Sequence, residues 1–343
     1  MAKAAIKVLI GLCIVGAIAI YSWQSFQASQ FQRTEIAVIY NEADPLSSRV
    51  ANYYREQRGI VAENLIAVRF NPNSTGVSPE EFQKIKAEVD AKTPKDVQFY
   101  ALAWTSPYSV GCMSITSAFT FGYDAAYCGA GCVVTKPSPY FNSLSSSPYT
   151  DFKIRPTMII PFSNFIEARA LIDRGVASDQ SFPSGTAYLL STSDPARNVR
   201  SAIYPRIAKL LGDRFKIEII KSDVLENKKD VMFYFTGLVK VEKLKTNQFL
   251  AGAIADHLTS FGGQLTNSSQ MSSLEWIRAG ATGSYGTVVE PCNFPQKFPN
   301  PGMLMSYYLR GDRLIEAYWK SVEQPGQGVF IGEPLASPFR SKF

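Results

Sequence analysis

The chain has 343 residues, 46% hydrophobic and 13% aromatic, which is ample for a substantial core and excludes a disordered polypeptide. Only 19% of residues are charged, and the net charge of +6 arises from Lys and Arg scattered among Asp and Glu. Without basic runs to track a phosphate backbone, no nucleic-acid partner is expected.

Two lysines, Lys3 and Lys7, precede an uninterrupted apolar run from Val8 to Tyr21. At about fourteen residues the run matches a signal-peptide core and falls short of the roughly 20 that span a bilayer comfortably. Residues 1–24 are therefore expected to be a signal peptide or a membrane anchor, and Trp23, a typical interfacial residue, favours the anchor. The rest of the chain would then lie outside the cytoplasm, on the periplasmic or cell-surface side, with the membrane as its partner through this segment. A polar spacer, residues 22–33, follows.

From residue 34 onward a single α/β domain is expected. Glu35 to Tyr40 reads as a strand, followed by a turn and helical periodicity through Tyr54. Asn64 to Phe70 is a second strand, and Ser78-Pro79-Glu80-Glu81 supplies an N-cap, a first-turn proline and a capping-box Glu for a second helix. Val97 to Trp104 is almost continuously apolar, as a strand covered on both faces should be. Residues 105–155, rich in Ser, Gly, Pro, Tyr and Cys, break the rhythm and read as a structured, Cys-rich insertion. Strands then follow at Met158 to Phe162, Thr186 to Ser191, Lys216 to Lys221, Val231 to Phe235, Gly283 to Val289 and Gly328 to Ile331. Helices are expected at Phe165 to Arg174, from Asp194-Pro195 to Gly212, near Gly252 to Leu258, at Ser272 to Ala279, Pro301 to Leu309 and Arg313 to Val322. The alternation predicts an open, mostly parallel sheet with helices on both faces.

In such a sheet, ligands bind beyond the strand C-termini. The polar residues there are Asn41, Glu42 and Asp44; Thr105 and Ser106; Ser193 and Asp194; Thr236; and Glu290 with Cys292. Most have a plain reading as turn residues or helix caps. With Cys13 assigned to the apolar segment, Cys112, Cys128, Cys132 and Cys292 remain, an even number that suggests disulfides in an oxidising compartment. Cys128 and Cys132 are separated by Gly129-Ala130-Gly131, so they can bridge each other, or each can bridge one of the remaining pair. The single histidine, His257, sits in Ala255-Asp256-His257-Leu258-Thr259-Ser260-Phe261-Gly262-Gly263. If it shares a sheet edge with Cys292, the two have the parts of an activated thiolate, with Asp256 or Glu290 as orienting carboxylate. No phosphate loop, nucleophile elbow or zinc-type cluster is present, and no cofactor or metal is expected. Asp124, Asp151, Asp173 and Asp179 lack a calcium-loop spacing.

Ala103-Trp104-Thr105-Ser106-Pro107-Tyr108, Ser114 to Phe119, Ile172 to Val176, Ala255 to Gly263 and Gly286 to Cys292 together resemble an uncharacterised family of exported bacterial proteins. More distantly, Asp230 to Leu238, Ala279 to Val289 and Gly328 to Leu335 resemble three strands of the caspase-like peptidases, particularly the gingipain-type branch. That resemblance implies a caspase-like three-layer sandwich. Its catalytic His would follow Val231 to Phe235, where this chain reads Thr236-Gly237-Leu238, and its Cys would precede Gly283 to Val289, where this chain has Asp256-His257-Leu258-Thr259. The dyad is absent from both places. Two functions are expected: an anchored, non-peptidase binding or accessory protein with a protein or peptide partner, or a cysteine hydrolase rebuilt around Cys292 and His257.

Overall fold

The computed structural model describes residues 34–129 and 131–341. The sequence-predicted export segment lies outside the described residues, and among the described residues no helix is long and apolar enough to cross a membrane.

In chain order the first part contains β1 (Ile36–Asn41), α1 (Pro45–Arg58), β2 (Leu65–Val68), β3 (Gly76–Val77), α2 (Pro79–Lys92), β4 (Phe99–Leu102), β5 (Ser109–Val110), β6 (Met113–Ser114), α3 (Ile115–Phe121), α4 (Pro148–Phe152), β7 (Thr157–Ile159) and α5 (Phe165–Ser178). The second contains β8 (Thr186–Ser191), α6 (Tyr204–Leu211), β9 (Lys216–Lys221), β10 (Val231–Thr236), β11 (Phe249–His257), α7 (Leu274–Ala279), β12 (Gly283–Thr287), α8 (Pro301–Leu309), α9 (Leu314–Ser321) and β13 (Gly328–Gly332). The helices begin where the sequence supplies caps: the Asp44 side chain accepts from the Leu46 N–H, Ser78 from that of Glu81 and Asn164 from that of Glu167.

One sheet runs β2-β1-β4-β7-β13-β12-β11-β10-β8-β9, and β3, β5 and β6 form a small second sheet. In the first half β1, β2, β4 and β7 pair in parallel, in the spatial order second, first, third, fourth. In the second half β8, β9, β10 and β11 repeat that order from the opposite edge, again in parallel. Between the halves β13 lies beside β7 and pairs antiparallel with β12, and β12 pairs parallel with β11. The two halves run in the same sense: Arg58, at the end of α1, meets Glu333 just beyond β13, and Ser106 and Tyr108, after β4, meet Thr266 and Asn267, after β11. Their strand C-termini therefore open at one edge, the place where a doubly wound sheet binds its ligands.

Helices cover both faces. Alternation along β10 separates them: Tyr234 meets Trp276 of α7 at 4.9 Å, whereas Phe233 meets Tyr308 of α8 at 6.2 Å. With α7 go α5, whose Arg174 Nη2 donates to the carbonyls of Ile277 and Ala281, and α1, packed on α5. The other face carries α2, α3, α9, α8 and α6 in a continuous layer: Phe82 packs on Phe119 and Phe121 on Trp319, while α8 packs against both α9 and α6.

One expectation needs correction. Residues near Gly252 to Leu258 form the end of β11 and not a helix; the short apolar run Ala253-Ile254-Ala255 is buried, and a run of that length carries no periodicity to distinguish strand from helix. Within the span 105–155, Ile115 to Thr120 of α3 are all buried and pack over β7 and β13.

The loop after β11 is seated on β12 through glycines. A Cβ at Gly286 would lie 2.3 Å from the carbonyl carbon of Gly262 and 2.4 Å from the Gly263 nitrogen, both backbone atoms that cannot swing away. Gly286→Ala should destabilise the protein by about 1–3 kcal/mol, the usual cost of overpacking. Urea unfolding checks this, and an unchanged midpoint would show that the loop does not rest there.

Candidate functional site

At the first-half edge the polar residues following the strands are consumed by the scaffold. Asn41 donates from Nδ2 to the Phe70 carbonyl at 3.0 Å, and Ser47 Oγ donates to the Ala103 carbonyl at 2.6 Å. Thr105 Oγ1 donates to the Phe162 carbonyl and accepts from the Phe162 N–H, at 2.6 and 2.7 Å. Asp44 caps α1, and Glu42 pairs with Arg69 at the surface. These groups join strand ends to one another.

The second-half edge holds His257, Asp256, Glu290 and Cys292, and β11 and β12 do bring the segments together: Thr287 Oγ1 donates to the carbonyls of Thr259 and Ser260 at 3.2 and 2.8 Å. The side chains diverge. His257 and Asp256 are adjacent in β11 and so project to opposite faces. Asp256 is buried in an ion pair with Arg200, Nη2 to Oδ1 at 2.6 Å, and Arg200 also donates to the carbonyls of Thr236 and Pro299. Burial pushes the Asp256 carboxyl up, against the pull of Arg200. It cannot orient the imidazole on the other face.

His257 is not in a polar turn but is the last residue of β11, 1% exposed. Trp276 Nε1–H donates to its Nδ1 at 2.9 Å, which leaves the ring proton on Nε2 to donate to the Met271 carbonyl at 3.1 Å. Both nitrogens are occupied. Burial pushes the imidazole down to about 3, and Arg200 and Arg197 further disfavour its protonation. A group so placed is a neutral strut between strand, loop and helix.

Cys292 pairs with Cys132 and Cys112 with Cys128, at Cα separations of 5.2 and 5.7 Å. The bridge between Cys128 and Cys132 is therefore not formed, and each instead takes one of the remaining pair. Cys292 has no thiolate to offer in this state. Glu290 shapes its turn: the carboxylate accepts from the Cys292 N–H at 2.8 Å, and the Glu290 carbonyl accepts from Gln327 at 3.0 Å. Nearby, Lys297 is buried without a hydrogen-bond partner for its ammonium, which burial pushes down in pKa, and sits 5.5 Å from the Phe294 ring. Sequence reading missed Arg200 and Trp276, because nothing local marks a partner 19 or 56 positions away.

Among the described residues no group of three or more His, Cys, Asp or Glu could hold a metal. Asp124 caps a turn, Asp151 accepts from Ser145, Asp173 from Tyr53, and Asp179 pairs with Arg58.

No protein-family profile and no characterised protein matches this chain in sequence. A solved structure described as that of a protease aligns over 89% of this chain and 78% of its own, at 11% identity and a TM-score of 0.43. A likeness that remote carries no statement about activity.

Two outcomes test this geometry. The unfolded chain takes up a proton on His257 near pH 6.5, whereas the native imidazole resists until about 3. Its stabilisation is thus complete above pH 6.5 and declines by about 1.4 kcal/mol per pH unit as the pH falls through that window. The stability difference between wild type and His257→Gln should show that slope, and a difference independent of pH would contradict the buried neutral ring. The disulfides should differ in weight. Replacing Cys132 and Cys292 by Ser opens a bridge spanning 160 residues and should cost about 5 kcal/mol, against about 3 kcal/mol for the bridge spanning 16 between Cys112 and Cys128. Denaturant unfolding of the two double variants ranks them.

Proposed function

We propose that the chain is an exported binding or accessory protein, held at a membrane by residues 1–24, on an α/β scaffold that does not use Cys292 and His257 as a hydrolytic pair. The observation that carries this reading is the disulfide between Cys132 and Cys292. It occupies the one sulfur placed near a histidine-bearing edge, and it fits the oxidising compartment to which the apolar N-terminal run would deliver the chain. The engaged nitrogens of His257 support it further.

The partner that suits this reading is a protein or peptide. An open depression of about 570 Å³ lies between residues 239–244 and 265–278, lined by Val239, Val241, Thr266, Asn267, Gln270 and Glu275. Amide and hydroxyl groups interleaved with small apolar side chains can meet the alternating donors, acceptors and side chains of a polypeptide, and the lining offers no nucleophile paired with a base.

Iodoacetamide treatment of the native protein, isolated without reductant, checks the reading. Cys292 should remain unlabelled until the protein is reduced and unfolded. Rapid labelling at neutral pH that disappears in His257→Ala would make the cysteine hydrolase the better account.

A further inference from the structure

Three neighbouring concavities surround the C-terminus of α8. The first lies between α6 and α8, lined in part by Asn142, Arg206, Leu210 and Arg310. Arg310 is shared with a second, which also holds Glu35, Ser146 and Arg340, and the adjoining Leu309 lines a third with Phe182, Arg214 and Phe339. They make one continuous face.

Its exposed apolar side chains are large: Leu210 is 66% and Phe182 55% exposed, and Leu144, between the lining residues Asn142 and Ser146, is 79% exposed. Its charge is unbalanced. Glu35 is taken by Arg313 at 2.6 Å and Asp312 by Lys320 at 2.8 Å. Among the described residues Arg206, Lys209, Arg214 and Arg340 have no ion pair, and Asp213 is the unpaired acid beside them. The described chain begins at Thr34, next to Glu35 on this same face, and a spacer of twelve residues, 22–33, limits the distance from the apolar run to at most about 40 Å.

We infer that this face, built from α6, the end of α8 and the 142–147 loop, docks on the surface of an anionic phospholipid bilayer. Unpaired cations beside isolated, protruding Leu and Phe side chains are what such a surface rewards, the cations meeting lipid phosphates while the apolar tips enter the headgroup boundary. The inference rests on the reading that residues 1–24 reach a membrane, and adds that the domain lies against that membrane with a defined side instead of swinging free on its spacer.

Hydrogen exchange on the full chain, reconstituted in nanodiscs of phosphatidylcholine alone or with phosphatidylglycerol, tests it. Amides of 142–147 and 204–214 should exchange more slowly in the anionic discs. That protection should be lost in high salt and in the triple variant Arg206→Glu, Lys209→Glu, Arg214→Glu, whose positions are exposed. Equal exchange in the two discs, or protection that salt leaves untouched, overturns the inference. So does protection that grows with protein concentration in the absence of lipid, which would assign the face to a second copy. Co-purification with neutral discs reports the anchor separately: a chain that incorporates but shows no anionic protection loses the docking face and keeps the anchor. A chain that fails to incorporate loses the anchor, and its exchange with anionic vesicles then decides the face.

Discussion

The antiparallel pairing of β12 with β13 is the constraint from which the rest of the architecture follows. Each half of the sheet is a parallel, helix-covered unit of the same strand order, and a single strand from near the chain's end, β13, is inserted between them. β13 joins β7 to β12 and so makes one continuous ten-stranded sheet of the two halves. The seam is reinforced from the side: Glu333, directly after β13 and fully buried, accepts from Arg58 of α1, which also pairs with Asp179 beyond α5. Burial pulls the pKa of the Arg58 guanidinium down, and the two carboxylates more than offset it. A pair of this kind is costly to break, since each partner would be left as an uncompensated buried charge.

The polar groups after the strands are likewise committed to the scaffold. Residues after the first-half strands do meet those after the second-half strands, Ser106 at Thr266 and Tyr108 at Asn267, but through hydroxyl and amide contacts that join loops. Within the second half, His257 and Cys292 do share an edge, yet strand alternation and the Cys132 bridge direct their chemistry elsewhere. Asp256 serves Arg200, His257 serves Trp276 and Met271, and Cys292 ties the β12 exit to the 128–132 loop. Parts that would suffice for a thiolate site in a different arrangement are here spent on holding loops in place.

The strands and helices with strong local signals were legible from the chain alone: Thr186 to Ser191, Lys216 to Lys221 and Pro301 to Leu309 coincide with β8, β9 and α8, because β-branched runs and a capped, proline-initiated helix are encoded by neighbouring residues. Even cysteine parity identified oxidised sulfurs, since that argument needs only composition and compartment. Tertiary structure alone decided the rest. The β-conformation of Gly252 to His257 depends on β10 and β12 flanking it, the choice of Cys132 for Cys292 depends on which loop the fold carries past the β12 exit, and the protonation of His257 depends on Trp276 closing over its ring. Each of these is a contact between segments far apart in sequence, and a linear pattern records the residues available for such contacts but not which of them meet.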